Sequence, residues 1–401
     1  MPRKNKNQQD NDKKLKGEIT NDGDAQMAKN EEKTENVKLQ KPFLKWVGGK
    51  TQIIDDVIKH VPKEMDNYHE IFLGGGSVLF AILSLQKEGK LTIKGKIFAY
   101  DINEALIHVY KNLQKNSDSL HKKLSEYIRE YGNIATNKME QVKEDKIVAS
   151  KTGQDGKAHD ESKAHDESKA DEESESDIKE DNVEELSTSK KSKRQKTTIP
   201  ATLEEAKKSK EGYYYWQREQ YNKIKKKKKK SSLECSALFM FLNKTGFRGM
   251  YREGPKGFNI PYGNYKKTPE IMDKQTFANI RELIQDVEFA CKDFTDSIAN
   301  VSTGDFVYLD PPYAPETAKS FVGYTKNGFD SEFHESLFDN IKKIHSKKVS
   351  FAMSNSNVTM VKSAFPESEG FYTEEVKARR AINSKDPGAT TTEVIIYNDY
   401  K

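Results

Sequence analysis

Cysteine is scarce in this chain: its 401 residues include two, Cys235 and Cys291. Both lie in apolar or mixed contexts with no metal-ligand spacing, which argues against a disulfide framework or a zinc site and suits a reducing interior. Long apolar runs are also missing. No stretch approaches the roughly 20 residues of a membrane span, and residues 1 to 40 lack the apolar core of a signal peptide, so a soluble, non-secreted protein is expected. Only 34% of the residues are apolar while 33% are charged, so part of the chain is expected to stay outside any packed core. The net charge of +5 hints at a polyanionic partner, and its distribution says more than its size.

What is present is concentrated in Gly304 to Tyr313, Gly-Asp-Phe-Val-Tyr-Leu-Asp-Pro-Pro-Tyr. Phe306 to Leu309 is a short apolar run after a turn, which suits a strand buried on both faces of a parallel sheet. At its carboxyl end Pro311 and Pro312 fix the backbone and remove two N–H donors, so nearby carbonyls and the Asp310 carboxylate are expected as bare acceptors. Tyr313 adds an aromatic face. Together these groups suit a planar base with an amino group: acceptors hold the NH2 hydrogens while the ring stacks. The plain alternative is an Asp-Pro-Pro turn followed by a surface tyrosine.

Asn67 to Leu73 reads as a second strand, running into Gly74-Gly75-Gly76-Ser77 and an apolar helix from Val78 to Leu85. Strand, glycine turn and helix form the nucleotide-binding crevice of a doubly wound sheet. Leu79 replaces the third glycine of the dinucleotide pattern, which argues against NAD. A third strand, Ile97 to Tyr100, ends at Asp101, placed to accept ribose hydroxyls. The two loops suggest an adenosine-containing cofactor, S-adenosylmethionine. Farther on, Val349 to Met353 and Thr392 to Tyr397 read as strands.

Other stretches are organised differently. Residues 1 to 40 have the composition of a disordered tail. After a helix to about Arg129, a low-complexity insertion is expected from 134 to 210, with Ala158 to Lys163 repeated as Ala164 to Lys169. His159 and His165 belong to the repeat rather than to a metal site. The insertion ends in a basic cluster, Lys190 to Lys196, readable as a nuclear address or as solvated charge. Six consecutive lysines, Lys225 to Lys230, are expected to be solvated or laid along phosphates. A helix over Ala237 to Leu242 then leads to Asn243 to Arg252 and Phe258 to Gly263. Interleaved aromatics, arginines and glycines there suit a loop that inserts apolar groups into a stacked duplex; the alternative is a structural hairpin.

Asp310-Pro-Pro-Tyr313 resembles the DPPY motif of amino-methyltransferases. Phe43-Leu-Lys-Trp-Val-Gly-Gly-Lys50, the glycine turn and the 243 to 263 block resemble the Dam-like DNA adenine N6-methyltransferases over residues 41 to 130 and 211 to 401. The resemblance implies an α/β fold: a doubly wound, Rossmann-like S-adenosylmethionine-dependent sheet with an inserted, mainly helical target-recognition domain carrying a β-hairpin. It implies a catalytic domain over 41–110 and 290–401 and a recognition domain over 111–289. Catalysis falls to Asp310, Pro311, Pro312 and Tyr313, with no metal. The cofactor falls to Trp46, Lys50, Phe72, Gly74, Gly76, Asp101 and Asp310. DNA contact falls to Lys45, Phe247, Arg248, Met250, Arg252 and Pro261, with adenine in GATC as target. The expected partner is double-stranded DNA, met by a monomer inside the cell, in the nucleoid or a nucleus. This chain departs from the family at Ile71, where proline is usual, at Arg248, where asparagine is common, and in Glu253 to Gly257, one residue short. An inactive DNA-binding module, or an RNA or protein methyltransferase, is the alternative.

Overall fold

The computed structural model describes residues 37–151, 199–265, 267–315, 331–379 and 390–400. Seven strands form one sheet: β1 (Tyr68–Glu70), β2 (Ile97–Asp101), β3 (Val287–Cys291), β4 (Phe306–Leu309), β5 (Ser350–Ser356), β6 (Tyr372–Arg379) and β7 (Thr390–Tyr397). Their order is β3-β2-β1-β4-β5-β7-β6. Strands β1 to β5 run parallel, while β7 is antiparallel to both neighbours. The chain order reverses between β1 and β4, so a doubly wound sheet opens a crevice at the carboxyl ends of those two strands.

Side-chain alternation explains why β4 reads as continuously apolar. Phe306 and Tyr308 join a core on one face, shared with helices Ser77–Lys87 and Leu233–Thr245. Val307 and Leu309 point into a second core against helix Ser331–Ser346. A strand covered on both faces needs apolar residues at every position. Capping side chains set several helix starts: Ser209 accepts from Gly212 N at 2.9 Å and Ser232 from Cys235 N at 3.2 Å.

The first core does not stop at the sheet. It continues through helix Glu104–Lys151 and helix Lys210–Lys226 to Phe258 and Ile260 of the 243 to 263 block. The Phe241 ring is met edge-on by Tyr127, Tyr131 and Tyr213 at 6.1, 5.9 and 5.7 Å between centroids. The described residues accordingly form one unit.

Three boundaries differ from expectation. The helix expected to end near Arg129 continues to Lys151 and buries Ile134. The far side of the insertion is structured from Ile199, where helix Leu203–Ala206 buries Ala206; short helices held by one buried residue carry little periodicity. The expected domain boundary between residues 289 and 290 cuts through β3. The repeat with His159 and His165, the cluster Lys190 to Lys196 and residues 1 to 36 lie outside the described residues. Among the described residues no helix is long and apolar enough to cross a membrane.

Candidate active site and nucleic-acid interface

Strand β4 delivers Asp310 to the carboxyl edge, where it meets a buried cation. The Lys50 ammonium lies 2.6 Å from Asp310 Oδ1 and donates to the Gly48 carbonyl at 2.5 Å; its side chain is 4% exposed. A lone buried ammonium is costly, and these acceptors compensate it. The backbone N–H of Lys50 donates to Ser77 Oγ at 3.0 Å, tying the segment to the first turn of helix Ser77–Lys87. Burial pushes the Asp310 carboxyl up to about 6, against the pull of Lys50 and with a further push from Glu393. Asp310 is therefore not the bare acceptor that the prolines suggested: Oδ1 is engaged by Lys50, and among the described residues Oδ2 has no hydrogen-bond partner.

The loop after β4 is clamped from its far side. Asn355 Oδ1 accepts from Ala314 N at 3.0 Å, and Ser356 Oγ donates to the Ala314 carbonyl at 2.6 Å. The Tyr313 hydroxyl donates to Glu393 Oε2 at 2.6 Å, and the Lys50 ammonium lies 4.9 Å from the Tyr313 ring centroid. Beside Tyr313 opens a cavity of 340 Å³ lined also by Ser356, Asn357, Val358, Thr391, Thr392 and Glu393. None of these clamping residues was singled out from sequence. Ser356 and Glu393 pair across β5 and β7, a relation visible only once the strand register is known.

The glycine turn lies at the switch point as expected, but its glycines serve neighbouring side chains. Gly74 and Gly76 have φ of +48° and +71°. A Cβ on Gly74 would come within 2.8 Å of the Trp46 ring, and one on Gly76 within 2.7 Å of the Tyr110 hydroxyl. Trp46 thus packs on the turn, which in turn is held by Asp101: Oδ2 accepts from Gly74 N at 3.0 Å and Oδ1 from Asn103 N at 2.8 Å. Burial raises the Asp101 carboxyl while these two N–H donors lower it. Helix Ser77–Lys87 starts with no side-chain cap. Ile102 beyond Asp101 is 61% exposed, and Phe72 stacks on Phe294 at 6.2 Å. Phe294 follows Asp293, which caps its helix by accepting from Thr295 N at 2.7 Å. Sequence reading passed over both, because β3 went unrecognised.

A second group of candidates gathers around Asn243. Its side chain accepts from Lys45 N at 3.0 Å and donates to the Lys45 and Gly249 carbonyls at 2.7 and 2.9 Å. The Lys45 ammonium lies 4.7 Å from the Tyr265 ring. Phe247 and Met250 are half-buried and pack on the core, while Arg248 is exposed at φ +52° with its guanidinium 5.3 Å from the Phe247 ring. A two-stranded ribbon follows, pairing Glu253 with Phe258 and Gly254 with Gly257 around Pro255 and Lys256. Asn222 grips it by accepting from Phe258 N and donating to Phe258 O, at 2.8 and 3.0 Å. The short Glu253 to Gly257 segment is thus a two-residue turn, with Gly257 at φ +102°. Arg252 and Pro261 are exposed, and Arg252 Nε donates to Asn259 Oδ1 at 2.8 Å.

The lysine run differs from its expected solvated strip. Lys225 closes the end of helix Lys210–Lys226 against Glu253 and the Tyr251 hydroxyl, and Lys230 pairs with Glu104. Acidic partners brought by the fold absorb both ends, leaving Lys226 to Lys229 as the outward part. Trp46 joins the two groups of candidates, its ring lying parallel to those of Phe239 and Tyr251 at 6.5 and 6.2 Å.

Comparison with known proteins follows the same residues. The family described as D12 class N6 adenine-specific DNA methyltransferase matches residues 46–146 and 164–382. The chain belongs to that family. The type II methyltransferase M.MjaIII of Methanocaldococcus jannaschii is 31% identical over 86% of this chain and 93% of its own length. M1.LlaDCHI of Lactococcus lactis subsp. cremoris, also a type II methyltransferase, is 25% identical over 89% and 95%. DNA adenine methylase of Escherichia coli K12 is 24% identical over 89% and 94%. This D12-class methyltransferase thus carries its Asp-Pro-Pro-Tyr segment and its glycine turn within the matched span, on the carboxyl edge of one sheet.

Proposed function

We propose that this methyltransferase transfers a methyl group from S-adenosylmethionine to the exocyclic N6 amine of an adenine swung out of duplex DNA, within GATC. The observation that carries the reading is the Lys50 ammonium held between the Asp310 carboxylate and the Tyr313 ring, with a 340 Å³ cavity opening on the Tyr313 side. That volume is in the range of small-molecule sites, roughly 300 to 1,000 Å³.

The cofactor fits residues at the other end of the crevice. Asp101 retains acceptor capacity beyond its two backbone partners. The uncapped start of helix Ser77–Lys87, exposed Ile102 and Phe72 complete a polar and apolar lining. When bound there, the sulfonium supplies an activated methyl group, so positioning and electrostatics are what the protein must add.

The chain's own residues do the rest. Asp310 Oδ2 and the Pro311 carbonyl accept the two amino hydrogens, which draws the nitrogen lone pair out of conjugation. Lys50 keeps Asp310 ionised and fixes its other oxygen. Tyr313 stacks on the base, which must leave the helix to be reached. As the amine gains its methyl it becomes cationic, and a proton leaves the nitrogen toward the Asp310 carboxylate.

Recognition falls to Lys45, Phe247, Arg248, Met250, Arg252 and Pro261, on the ribbon and the turn before it. With helices 104–151, 210–226 and 233–245 they make up the proposed recognition region, sharing the core of the catalytic sheet. Purified protein incubated with labelled S-adenosylmethionine and a naive pool of duplexes, followed by mapping of methylated adenines, tests this. Label on adenine N6 in GATC is the expected result. Label elsewhere in the sequence overturns the target, and label on RNA or protein overturns the substrate class.

A further inference from the structure

Glu393 has no role in the reading so far, yet it holds the residue on which the target base is proposed to stack. It lies on β7 opposite Ser356 of β5, lines the 340 Å³ cavity, and receives the Tyr313 hydroxyl at 2.6 Å. The same edge of the sheet grips the next residue, since Ser356 Oγ donates to the Ala314 carbonyl and Asn355 accepts from Ala314 N. The Tyr313 ring is thus fixed at both ends, by its backbone through β5 and by its hydroxyl through β7.

From this arrangement we infer that Glu393 is a positioning residue for methyl transfer: it sets the plane of the Tyr313 ring and enriches its π face. The inference rests on the reading of Tyr313 as the stacking platform.

Two physical effects support it. First, a tyrosine ring at a cavity wall swings about its χ angles unless its tip is held, and a hydrogen bond to a charged acceptor is stronger than one to a neutral acceptor. Second, a phenol donating to a carboxylate gains electron density on oxygen and through it on the ring. An amine being methylated becomes cationic, so an electron-rich face beneath the base stabilises the transition state more than the ground state. The Lys50 ammonium, 4.9 Å from the ring, would otherwise drain that density. Glu393 stands as its counterweight on the phenol side.

Single-turnover methylation of a duplex under saturating S-adenosylmethionine tests this, with Glu393→Gln, Glu393→Ala and Tyr313→Phe measured singly and with the Tyr313→Phe, Glu393→Ala pair combined. Thermal unfolding of each variant shows that it is folded. Glutamine keeps an acceptor and loses the charge; alanine loses both.

The expected rates fall in the order wild type, Glu393→Gln, Glu393→Ala. The alanine variant loses about tenfold, equivalent to about 1.4 kcal/mol, while duplex affinity stays within about twofold. On the Tyr313→Phe background Glu393→Ala changes nothing further, because its contact is already gone. A target 2-aminopurine, whose fluorescence is quenched by stacking, brightens in both single variants that break the hydrogen bond. If Glu393→Ala matches wild type, or if its loss adds in full to that of Tyr313→Phe, the inference is overturned. If the wild-type protein leaves adenine unmodified, it is instead the functional reading that fails.

Discussion

Lys50 Nζ and Asp310 Oδ1 stand 2.6 Å apart in a site where the lysine is almost wholly buried, so the acceptor and the cation that keeps it ionised form one unit. Removing Asp310 removes the acceptor itself. Asp310→Ala is expected to slow single-turnover methylation at least about a hundredfold, on the scale of about 3 kcal/mol for a charge-assisted hydrogen bond. Duplex affinity should stay near wild type, while the unfolding midpoint should fall because the buried Lys50 ammonium loses its carboxylate partner. A variant retaining a tenth of the wild-type rate would rule out the proposed amine contact.

The same pair sets an acid limit. The Asp310 carboxyl is pushed up to about 6 by burial, with Lys50 pulling it down. In the proposed mechanism the ionised form accepts the amine and takes its proton, so the rate should fall as pH drops through about 6. Lys50→Met removes the downward pull, so its acid limb should move to higher pH. A pH–rate profile of single-turnover rates for both proteins decides this; coincident limbs would separate Lys50 from the titration.

Glu70 offers a stability test free of catalysis. It is 2% exposed, receives the Tyr68 hydroxyl at 2.8 Å, and is raised to about 8 by burial, with Asp310 adding to the rise. Its folded-state value lies above the unfolded one, so the native protein holds a proton that the unfolded chain gives up. Stability therefore declines from about pH 5 to about pH 8 and is flat in this respect above. The slope for one proton is about 1.4 kcal/mol per pH unit. Glu70→Gln should lack that component, gaining on wild type as pH rises. Urea unfolding across the range reads the difference, and parallel curves would show that Glu70 is ionised throughout.

Sequence choice should separate from affinity. Arg252 uses one of its five guanidinium donors on Asn259. Arg252→Ala is expected to lower the ratio of GATC to near-cognate methylation about tenfold, since a base-edge contact contributes about 1 to 3 kcal/mol of discrimination. Replacing Lys226 to Lys229 by glutamine should weaken all duplexes alike and flatten the salt dependence of binding. Kinetics on a mismatch panel and binding at several ionic strengths distinguish the two.

Replacing residues 152–198 by about ten glycines and serines should leave unfolding midpoint and methylation unchanged. The repeat composition gives that stretch nothing to bury, and loop-closure entropy rises only slowly with length. A wider cut from 134 to 210 should instead destabilise, since Ile134 and Ala206 are core residues. Expression and thermal unfolding of both deletions check the boundary.

Much of the sheet was legible because buried parallel strands announce themselves as short apolar runs after turns, and β4 matches its expected span of Phe306 to Leu309. Strand β6 was not. Its Thr373, Glu374, Glu375 and Lys377 belong to an edge strand with one covered face, and such polar alternation looks like loop. Asp310, Tyr313, Trp46 and Lys50 were legible as motif residues. Their mutual distances were not, since Lys50 and Asp310 are brought together by packing between the segment around residue 50, helix Ser77–Lys87 and β4. Glu393 carried no signal at all, being one carboxylate on a strand far along the chain.

The six residues from Lys45 to Lys50 are held at three points. At one end the backbone is locked by Asn243 beside the ribbon, in the middle Trp46 rests on the glycine turn, and at the other end the ammonium meets Asp310. Five peptide units span at most about 18 Å, so the proposed base-edge reader and the proposed chemical centre sit on one short segment, folded by a turn in which Gly49 N donates to the Trp46 carbonyl at 3.3 Å. On the proposed reading, a displacement at the DNA side of this segment has only six residues to cross before it reaches the carboxylate at Asp310.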